Sequence, residues 1–594
     1  MPIYFEDFGF DSIVIDEFHA YKNSKEVFGN LNAKYLSIPQ TSAKGIDAQV
    51  KCWFIRQQNK FSIGKEDGVY GLSATPFTNS PLEYYSMLNL IVGEENLSNL
   101  VGLENSFDFL QASCEIDLDE DTAVDGNTQR INQFKGIKNL TILRKALFKI
   151  IDFLTHEQVK DNVTLPNKNE IFIESKLSNE EKEAIELYKK VYSLSKKVVF
   201  TKDENSLQEI LNSREWNEVV LPTILEYKEE PVISASPFNF IRKMERLTID
   251  DDLKEQGLTY YLSPIEDHKE FLSKINDTIQ TFNKKAYKEK RVRPSKNSKN
   301  FKEIINEEGL IEYEVQVECW LKDKIENPSV FLDSLDYKTR LELFNAFSKF
   351  CKVSFKYNSG KLTSFIEQLV KEHNQPNGID NTGKRLPYSK QLVFLDQIGS
   401  HLKVQALIAE KLSLNFSEVA VLTGQTNNEP EEVLDIQNKY NDGIYRIVLA
   451  NEKAEVAINL QNGTQAIHHL TYGWTPDSIH QRNGRGIRYG NLTKDVNVYF
   501  YHTIGSFDVY KHKLVDFKSD WISKITNING EDYVPINTIS QKQYEEMISQ
   551  LGEDLDSLSK QIEFERKQKE IKNLVSKQKS LLSFMTSEKI RDLN

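Results

Sequence analysis

Basic residues are in the minority. Lys and Arg total 75 against 88 Asp and Glu, a net charge of −13 over 594 residues. A uniformly basic coat for nucleic acid is therefore excluded, and any such contact needs a local groove. Cysteine is scarce, with four in the chain (Cys52, Cys114, Cys319 and Cys351). None stands in C-x-x-C spacing, so neither a zinc ribbon nor a disulfide framework is expected. Nowhere do about 18 uncharged apolar residues run together, so no membrane span is expected. The first residues lack a basic stretch followed by an apolar run, which excludes a signal peptide there. What is present is 39% hydrophobic and 27% charged, enough to bury cores. The length suggests roughly three to five domains. The expectation is a large soluble protein of the cytoplasm, in a bacterial or phage-infected cell, with no membrane partner.

The chain opens with an alternating α/β rhythm. Ser12–Ile15 and Gly68–Leu72 are short apolar runs of the kind that form buried parallel strands. A helical pattern through Leu82, Tyr85, Leu88 and Leu90 follows the second. Residues 116–130 are acidic and polar, and a loop is expected there. From about 140 to 350 the chain reads as mostly helical and irregular, with a capping box at Ser178 and Glu181. Residues 284–302 form a basic arm that includes Lys290, Arg291 and Arg293. After 355 the rhythm returns, with a helix through Phe365 and Leu369. Strands are expected at Leu392–Leu395, Val419–Leu422, Arg446–Leu449, Ala466–Leu470 and Val496–Tyr501. This is the pattern of a doubly wound parallel sheet. Beyond 541, Leu551, Leu555, Leu558 and Ile562 follow a 4-3-4 spacing, that of one amphipathic helix or a short coiled coil.

The chemistry lies at two places. The strand at Ser12–Ile15 delivers Asp16-Glu17-Phe18-His19 at its carboxyl end, the edge where open α/β sheets bind ligands. Adjacent carboxylates there suit a nucleotide-bound Mg²⁺, with Asp16 on the metal and Glu17 polarising water. Far downstream, Gln481-Arg-Asn-Gly-Arg485-Gly-Ile-Arg488 places two arginines three residues apart on one helix face. Planar, permanent cations there suit a transferring phosphoryl group.

Several segments resemble motifs of the Swi/Snf-type ATPases of helicase superfamily two. Asp16 to Asn23 is similar to their D-E-x-H-x-x-K-N signature, and Ser73-Ala-Thr75-Pro to their third motif. Gln391–Leu395 resembles the fourth, Glu455–Gln461 the fifth and Gln481–Arg488 the sixth, with Trp474-Thr-Pro ahead of it. Ala457 stands where the fifth motif normally has glycine. Val159 to Tyr188 resembles the inter-lobe segment, and Ser359–Leu362 the entry to the second lobe. The ending of the sixth motif is similar to helicases of phages and mobile elements.

This resemblance implies two RecA-like lobes, with ATP and Mg²⁺ between them and double-stranded DNA across both. It implies catalytic roles for Asp16, Glu17, Arg485 and Arg488, with Asp16 also holding the metal. It implies nucleotide-binding or coupling roles for His19, Ser73, Thr75, Asn459 and Gln481. The implied domains are a remnant of the first lobe (1–139), an inter-lobe segment (140–195), a mostly helical insertion (196–354), the second lobe (355–530) and a helical tail (531–594). Lys290, Arg291 and Arg293 are candidate contacts to the DNA backbone.

One motif of the family is missing, the P-loop G-x-x-x-x-G-K-[ST] upstream of the acidic strand. Gly378-Ile-Asp-Asn-Thr-Gly383-Lys384 has the glycine spacing. Arg385, however, replaces the hydroxyl residue, and the run precedes a strand where a P-loop follows one. Two strands alone cannot make a stable parallel sheet. The expectation is a translocase subunit whose P-loop comes from an upstream segment or a complementing chain. The alternative is an inactive helicase-like scaffold that binds nucleic acid or a protein partner.

Overall fold

The computed structural model describes residues 4–24, 33, 41–73, 81–102, 106–122, 128–152, 165–221, 237–249, 259–262, 304–305, 311–312, 351–354, 359–379, 383–414, 418–424, 427, 429–455, 458–508, 511–512, 515–516, 519 and 532–535. The basic arm at 284–302, Thr75, Ala457 and the tail beyond 535 lie outside them.

The first α/β unit contains β1 (Ile13–Ile15), α1 (Ala43–Ile63), β2 (Val69–Gly71) and α2 (Pro81–Val92). β1 and β2 pair in parallel, Ile13 beside Val69 and Ile15 beside Gly71. α1 starts where Ser42 Oγ accepts a hydrogen bond from the Gly45 amide at 3.0 Å, the usual way a serine satisfies an open helix end. Its inner face (Ala48, Cys52, Ile55) is buried. It packs in one core with Ile15, Val69, Leu88 and Leu90. Residues 116–130, expected as a loop, instead belong largely to a hairpin of β3 (Cys114–Thr122) and β4 (Thr128–Ile137). The acidic composition hides it, because each carboxylate-bearing residue finds its backbone partner on the opposite strand. The chain later returns to this unit, where Val534–Pro535 pairs with the end of β4.

The second unit is a six-stranded sheet in which every pairing is parallel. Its strands are β5 (Asn167–Lys176), β6 (Lys390–Phe394), β7 (Val419–Leu422), β8 (Ile447–Ala450), β9 (Thr464–His469) and β10 (Asp495–Ile504), in spatial order β7-β8-β6-β9-β10-β5. The α/β class and the doubly wound parallel sheet expected from the sequence are thus present. β5 was not expected as a strand. It pairs with β10 through ten consecutive residues, and its first half, Asn167 to Glu170, is exposed. Polar residues on an edge strand prevent further pairing.

Helices cover both faces. α3 (Asn179–Phe200) starts with the expected capping box of Ser178 and Glu181. α4 (Pro237–Leu247), α5 (Gly360–Asn374), α6 (His401–Leu412) and α7 (Pro430–Asn441) follow. One core lies between the sheet and α5 and α6, with Phe365, Leu402, Val393 and Leu449. The other holds Leu392, Phe394, Val448, Ile436 and Tyr440. α8 (Pro476–Gly486) seats over the carboxyl ends of the strands. Pro476 at its first turn suits a position whose amide has no helical partner.

Candidate functional site

The acidic loop after β1 is tightly held. The Phe18 amide donates to the Leu72 carbonyl at 2.9 Å, and the Leu72 amide to Ile15 at 2.8 Å. Phe18 lies flat over Gly71, where a Cβ would meet the ring at 2.7 Å, so only glycine fits. Glu17 adopts a left-handed backbone, φ 48° and ψ 49°. That conformation is unfavourable for a residue with a side chain and persists only where the surroundings impose it. The turn exposes Asp16 and Glu17, and the Glu17 amide donates to Asp16 Oδ1 at 2.9 Å. His19 Nδ1 shares a hydrogen bond with Ser73 Oγ at 3.0 Å and lies 3.3 Å from Glu17 Oε2. Lys22 pairs with the buried Glu83 of α2 at 3.0 Å. The D-E-x-H segment and the segment beginning at Ser73 are therefore adjacent.

Across from this loop stands α8. His19 Nε2 is 4.0 Å from Asp477 Oδ2. Asp477 in turn accepts hydrogen bonds from Gln481 Nε2 at 3.1 and 3.2 Å. Arg485 donates to the carbonyls of Gln481, Ile458 and Glu455 at 3.1, 3.0 and 2.8 Å. Burial, then the charge of Arg488, lowers the Arg485 pKa from its ordinary value, while the Glu17 and Glu455 carboxylates oppose that shift. Glu17 therefore lies within electrostatic reach of Arg485 despite the sequence between them. Arg488 donates to the side chain of Asn459, and the Asn459 backbone N–H donates to Gln437 Oε1 at 2.7 Å. Of the candidate residues, Asp16, Glu17, His19, Ser73, Gln481, Arg485, Arg488 and Asn459 fall in this one region. Thr75, Lys290, Arg291 and Arg293 lie outside the described residues.

α8 is held by residues that the sequence did not single out. Arg482, 1% exposed, donates to Glu455 Oε1 and Asp396 Oδ1, both at 2.6 Å, and to the Thr471 carbonyl at 2.9 Å. Asp396, Glu455 and Thr471 follow β6, β8 and β9, so one guanidinium ties together three strand ends. Burial works to raise the Asp396 carboxyl, but the Arg482 charge and hydrogen bonds outweigh it and its pKa ends below the usual value. For Glu455 burial wins and the pKa is raised, although Arg482 opposes it. Asn483 Oδ1 meets His469 Nε2 at 2.8 Å, and His469 stacks on Phe500 at 4.8 Å. At Gly486 a Cβ would meet Thr464 Cγ2 at 2.8 Å, so the helix end can approach β9 this closely only without a side chain. The signal was available: Ile479, Arg482, Asn483 and Gly486 fall at i, i+3, i+4 and i+7, the buried stripe of a helix.

Gly383 (φ +83°) lies in a segment bridged by Ile379 and Arg385, ahead of β6. The described part of that segment leads into a strand, whereas a phosphate cradle lies between a strand and a helix.

No protein-family model matches the chain. It is similar to the Defense against restriction protein B of Escherichia phage P1, at 26% identity over 611 residues, covering 93% of this chain and 24% of that protein. The chain thus spans about a quarter of the length of the curated relative it matches. Among solved structures, the C-terminal part of the Fun30 ATPase domain is 15% identical, with a TM-score of 0.33, over 66% of this chain and 99% of that one. The Pyrococcus furiosus Hef helicase domain is 12% identical, with a TM-score of 0.32, over 85% and 73%. Neither score carries a fold assignment, which rests on the sheet topology itself.

Proposed function

We propose that this chain is a motor subunit of an ATP-driven translocase of helicase superfamily two that acts on double-stranded DNA. The observation that carries this reading is the juxtaposition of the strained Glu17–His19 turn of one sheet with the arginine helix α8 of the other. Clustered like charges repel, and a left-handed glutamate costs about 1–3 kcal/mol. Such an arrangement is consistent with a site that receives an anion and its cation. The exposed Asp16 and Glu17 carboxylates fit a hard divalent cation, and the cationic face of α8 fits phosphate oxygens. A bound nucleotide would supply the phosphoryl group whose transfer drives the motion. Asp16 would hold the metal, Glu17 would orient water, and Arg485 and Arg488 would offset developing negative charge. His19 and Ser73 would couple the acidic turn to the β2 side of its sheet, and Gln481 and Asn459 would hold the arginine side. The basic residues Lys290, Arg291 and Arg293 are proposed contacts to the DNA backbone.

A glycine-rich amide cradle with its lysine is not met among the described residues. We infer that it is contributed by a further segment or a complementing chain. The relative's name speaks of defence against restriction, and a DNA motor associated with phage DNA is a role that fits such a task.

The test is hydrolysis. The chain alone is expected to hydrolyse ATP negligibly, with or without DNA. A longer polypeptide that includes a P-loop segment is expected to show DNA-stimulated hydrolysis. In it, Glu17→Gln should remove turnover and leave nucleotide binding largely intact, and Arg485→Ala should lower kcat more than affinity. Vigorous hydrolysis by the chain alone would remove the need for a second segment. Absence of hydrolysis in every longer form would leave a nucleotide-independent scaffold as the better account.

A further inference from the structure

α3 separates its charges. Residues 179–188 hold four acids and one base, and residues 189–202 hold five lysines and no acid. The helix dipole favours cations in the last turn alone, where Lys197 stands. It does not account for Lys190, about two turns earlier. Lys189 is engaged with Glu186 at 2.8 Å and is largely covered. Lys190, Lys197 and Lys202 are exposed, and Lys196 is half-buried. On the helix Lys190, Lys196 and Lys197 share an arc of about 120°, with Ser193 between them. Asp203, next in the chain, turns its carboxylate onto the Ser206 amide at 2.8 Å and so caps the helix that follows.

α3 and α4 form a firm mount for these lysines. Tyr192 meets Phe240 with ring centroids 5.0 Å apart, and Lys243 Nζ lies 5.4 Å from the Tyr188 ring. Their shared core takes in Leu177, just past β5, and Phe507, just past β10, with Trp474 packed against it. The buried Glu245 of α4 pairs with Lys511 at 2.8 Å. The two helices therefore stand on the carboxyl edge of the six-stranded sheet, where open α/β sheets bind ligands. The apolar side of α3 is used by this core and by a second one with Val191, Leu194 and Trp216. Of its large apolar residues only Val199 and Phe200, at its end, are exposed. It therefore lacks the broad apolar face by which a basic helix enters a lipid surface.

We propose that this lysine face binds the phosphodiester backbone of duplex DNA without reading its sequence. An ammonium is a point charge that suits single phosphate oxygens and lacks the planar fork that reads a base edge. Lys190 and Lys197 are about 10 Å apart along the helix, a length over which a duplex presents about six phosphate charges. The duplex as ligand rests on the motor reading, whereas the surface rests on charge and placement.

The test measures binding of the full chain to a short duplex as salt is varied, without nucleotide. Lys190→Gln, Lys196→Gln, Lys197→Gln and Lys202→Gln together should flatten the slope of log K against log salt by about 2–4. Binding at low salt should weaken at least roughly tenfold, equally on two unrelated sequences. Gln and Lys have similar helix propensity, so the thermal melt should not move. Arginine at the same four positions should bind as the parent does, and a loss as deep as with Gln would overturn the proposal. Lys371→Gln, Lys384→Gln, Lys411→Gln and Lys494→Gln remove as much exposed charge from the last turns of α5 and α6 and from ahead of β6 and β10. They should leave the slope unchanged, and an equal loss from both sets would mean that binding follows net charge and not this face. An unchanged slope in the α3 set, with DNA still bound, would overturn the proposal and leave the motor reading standing. Failure of the parent chain to bind duplex at all would remove both. Tighter binding of polyglutamate than of duplex, lost in the α3 set, would assign the face to an acidic protein instead.

Discussion

The two parallel sheets among the described residues are built from the same kind of apolar strand, yet one of them is enclosed and the other is open on one face. In the six-stranded sheet, β6, β7, β8 and β9 are buried at every position, with a core on each face. In the two-stranded sheet, Ile15 and Val69 are buried while their neighbours Val14 and Tyr70 are 61% and 52% exposed. Val14 and Tyr70 sit side by side in the register and point to the face opposite the core. Parallel strands normally need cover on both faces. The enclosed sheet therefore holds its arginine helix by its own packing. The open one holds the acidic turn chiefly by contacts within its own unit among the described residues: Phe18 over Gly71, His19 on Ser73 and Lys22 on Glu83.

The largest expected difference between the two sheets is in acid. Burial holds His468 and His469 of β9 at a pKa of about 3, and His502 of β10 at about 4. Below the ordinary imidazole range the unfolded chain binds protons at these positions and the folded chain does not. Stability therefore falls as pH drops from about 6.5 towards the folded values, by about 1.4 kcal/mol per pH unit for each histidine. Together they approach roughly 4 kcal/mol per unit. Asp396 and Asp508, held below the usual carboxylate range, have the opposite placement. Their contribution is present above their unfolded pKa of about 4 and is lost only below it. Hydrogen exchange at pH 7, 6 and 5 should show the six-stranded sheet losing protection steeply. An equally steep loss around β1 and β2 would break the comparison.

A second test addresses how α8 is held. Arg482→Met keeps the volume and strands two carboxylates. Removing one partner of a buried ion pair costs about 3–5 kcal/mol. Asp396 is a third exposed, so water can relieve part of the penalty, and about 3 kcal/mol is expected in a urea melt. Adding Glu455→Gln should recover part of it, because the uncompensated charge is then gone. No loss in the single variant would mean that the tie between the three strand ends is not needed to seat the helix.

The sequence announces the enclosed sheet well. The strand at Val419–Leu422 lies where expected, and the others shift by one to three residues at their ends, because a continuous apolar run between turn signals has few alternatives. It announces the candidate site as a list of residues, and the structure adds a common location for eight of them, while Thr75 and the basic arm lie outside the described residues. What it conceals depends on distant partners. β5 looks polar over its first four residues and becomes a strand because β10, 328 positions away, offers a full ladder. The hairpin of β3 and β4 is masked by its acids. Arg482 stands inside a recognised motif but takes its meaning from Asp396 and Glu455, 86 and 27 positions away. Local pattern cannot supply contacts of that separation.

The smallest expected effect is the sharpest test of the open face. Val14→Thr and Val448→Thr make the same change at central positions of the two sheets, and both residues are β-branched, so strand preference is nearly conserved. Val448 is fully buried, and a hydroxyl there has no water to replace its hydrogen bonds. A cost of about 1–3 kcal/mol is expected. Val14 is mostly in solvent, so its hydroxyl stays hydrated and the change should stay within about 0.5 kcal/mol. In a longer polypeptide that completes the first sheet, Val14→Thr should rise to about 1 kcal/mol or more, while Val448→Thr should not change. Equal and small costs for Val14→Thr in both forms would mean that the added segment leaves this face open, and the proposed phosphate-binding segment would then have to reach Asp16 and Glu17 from another side.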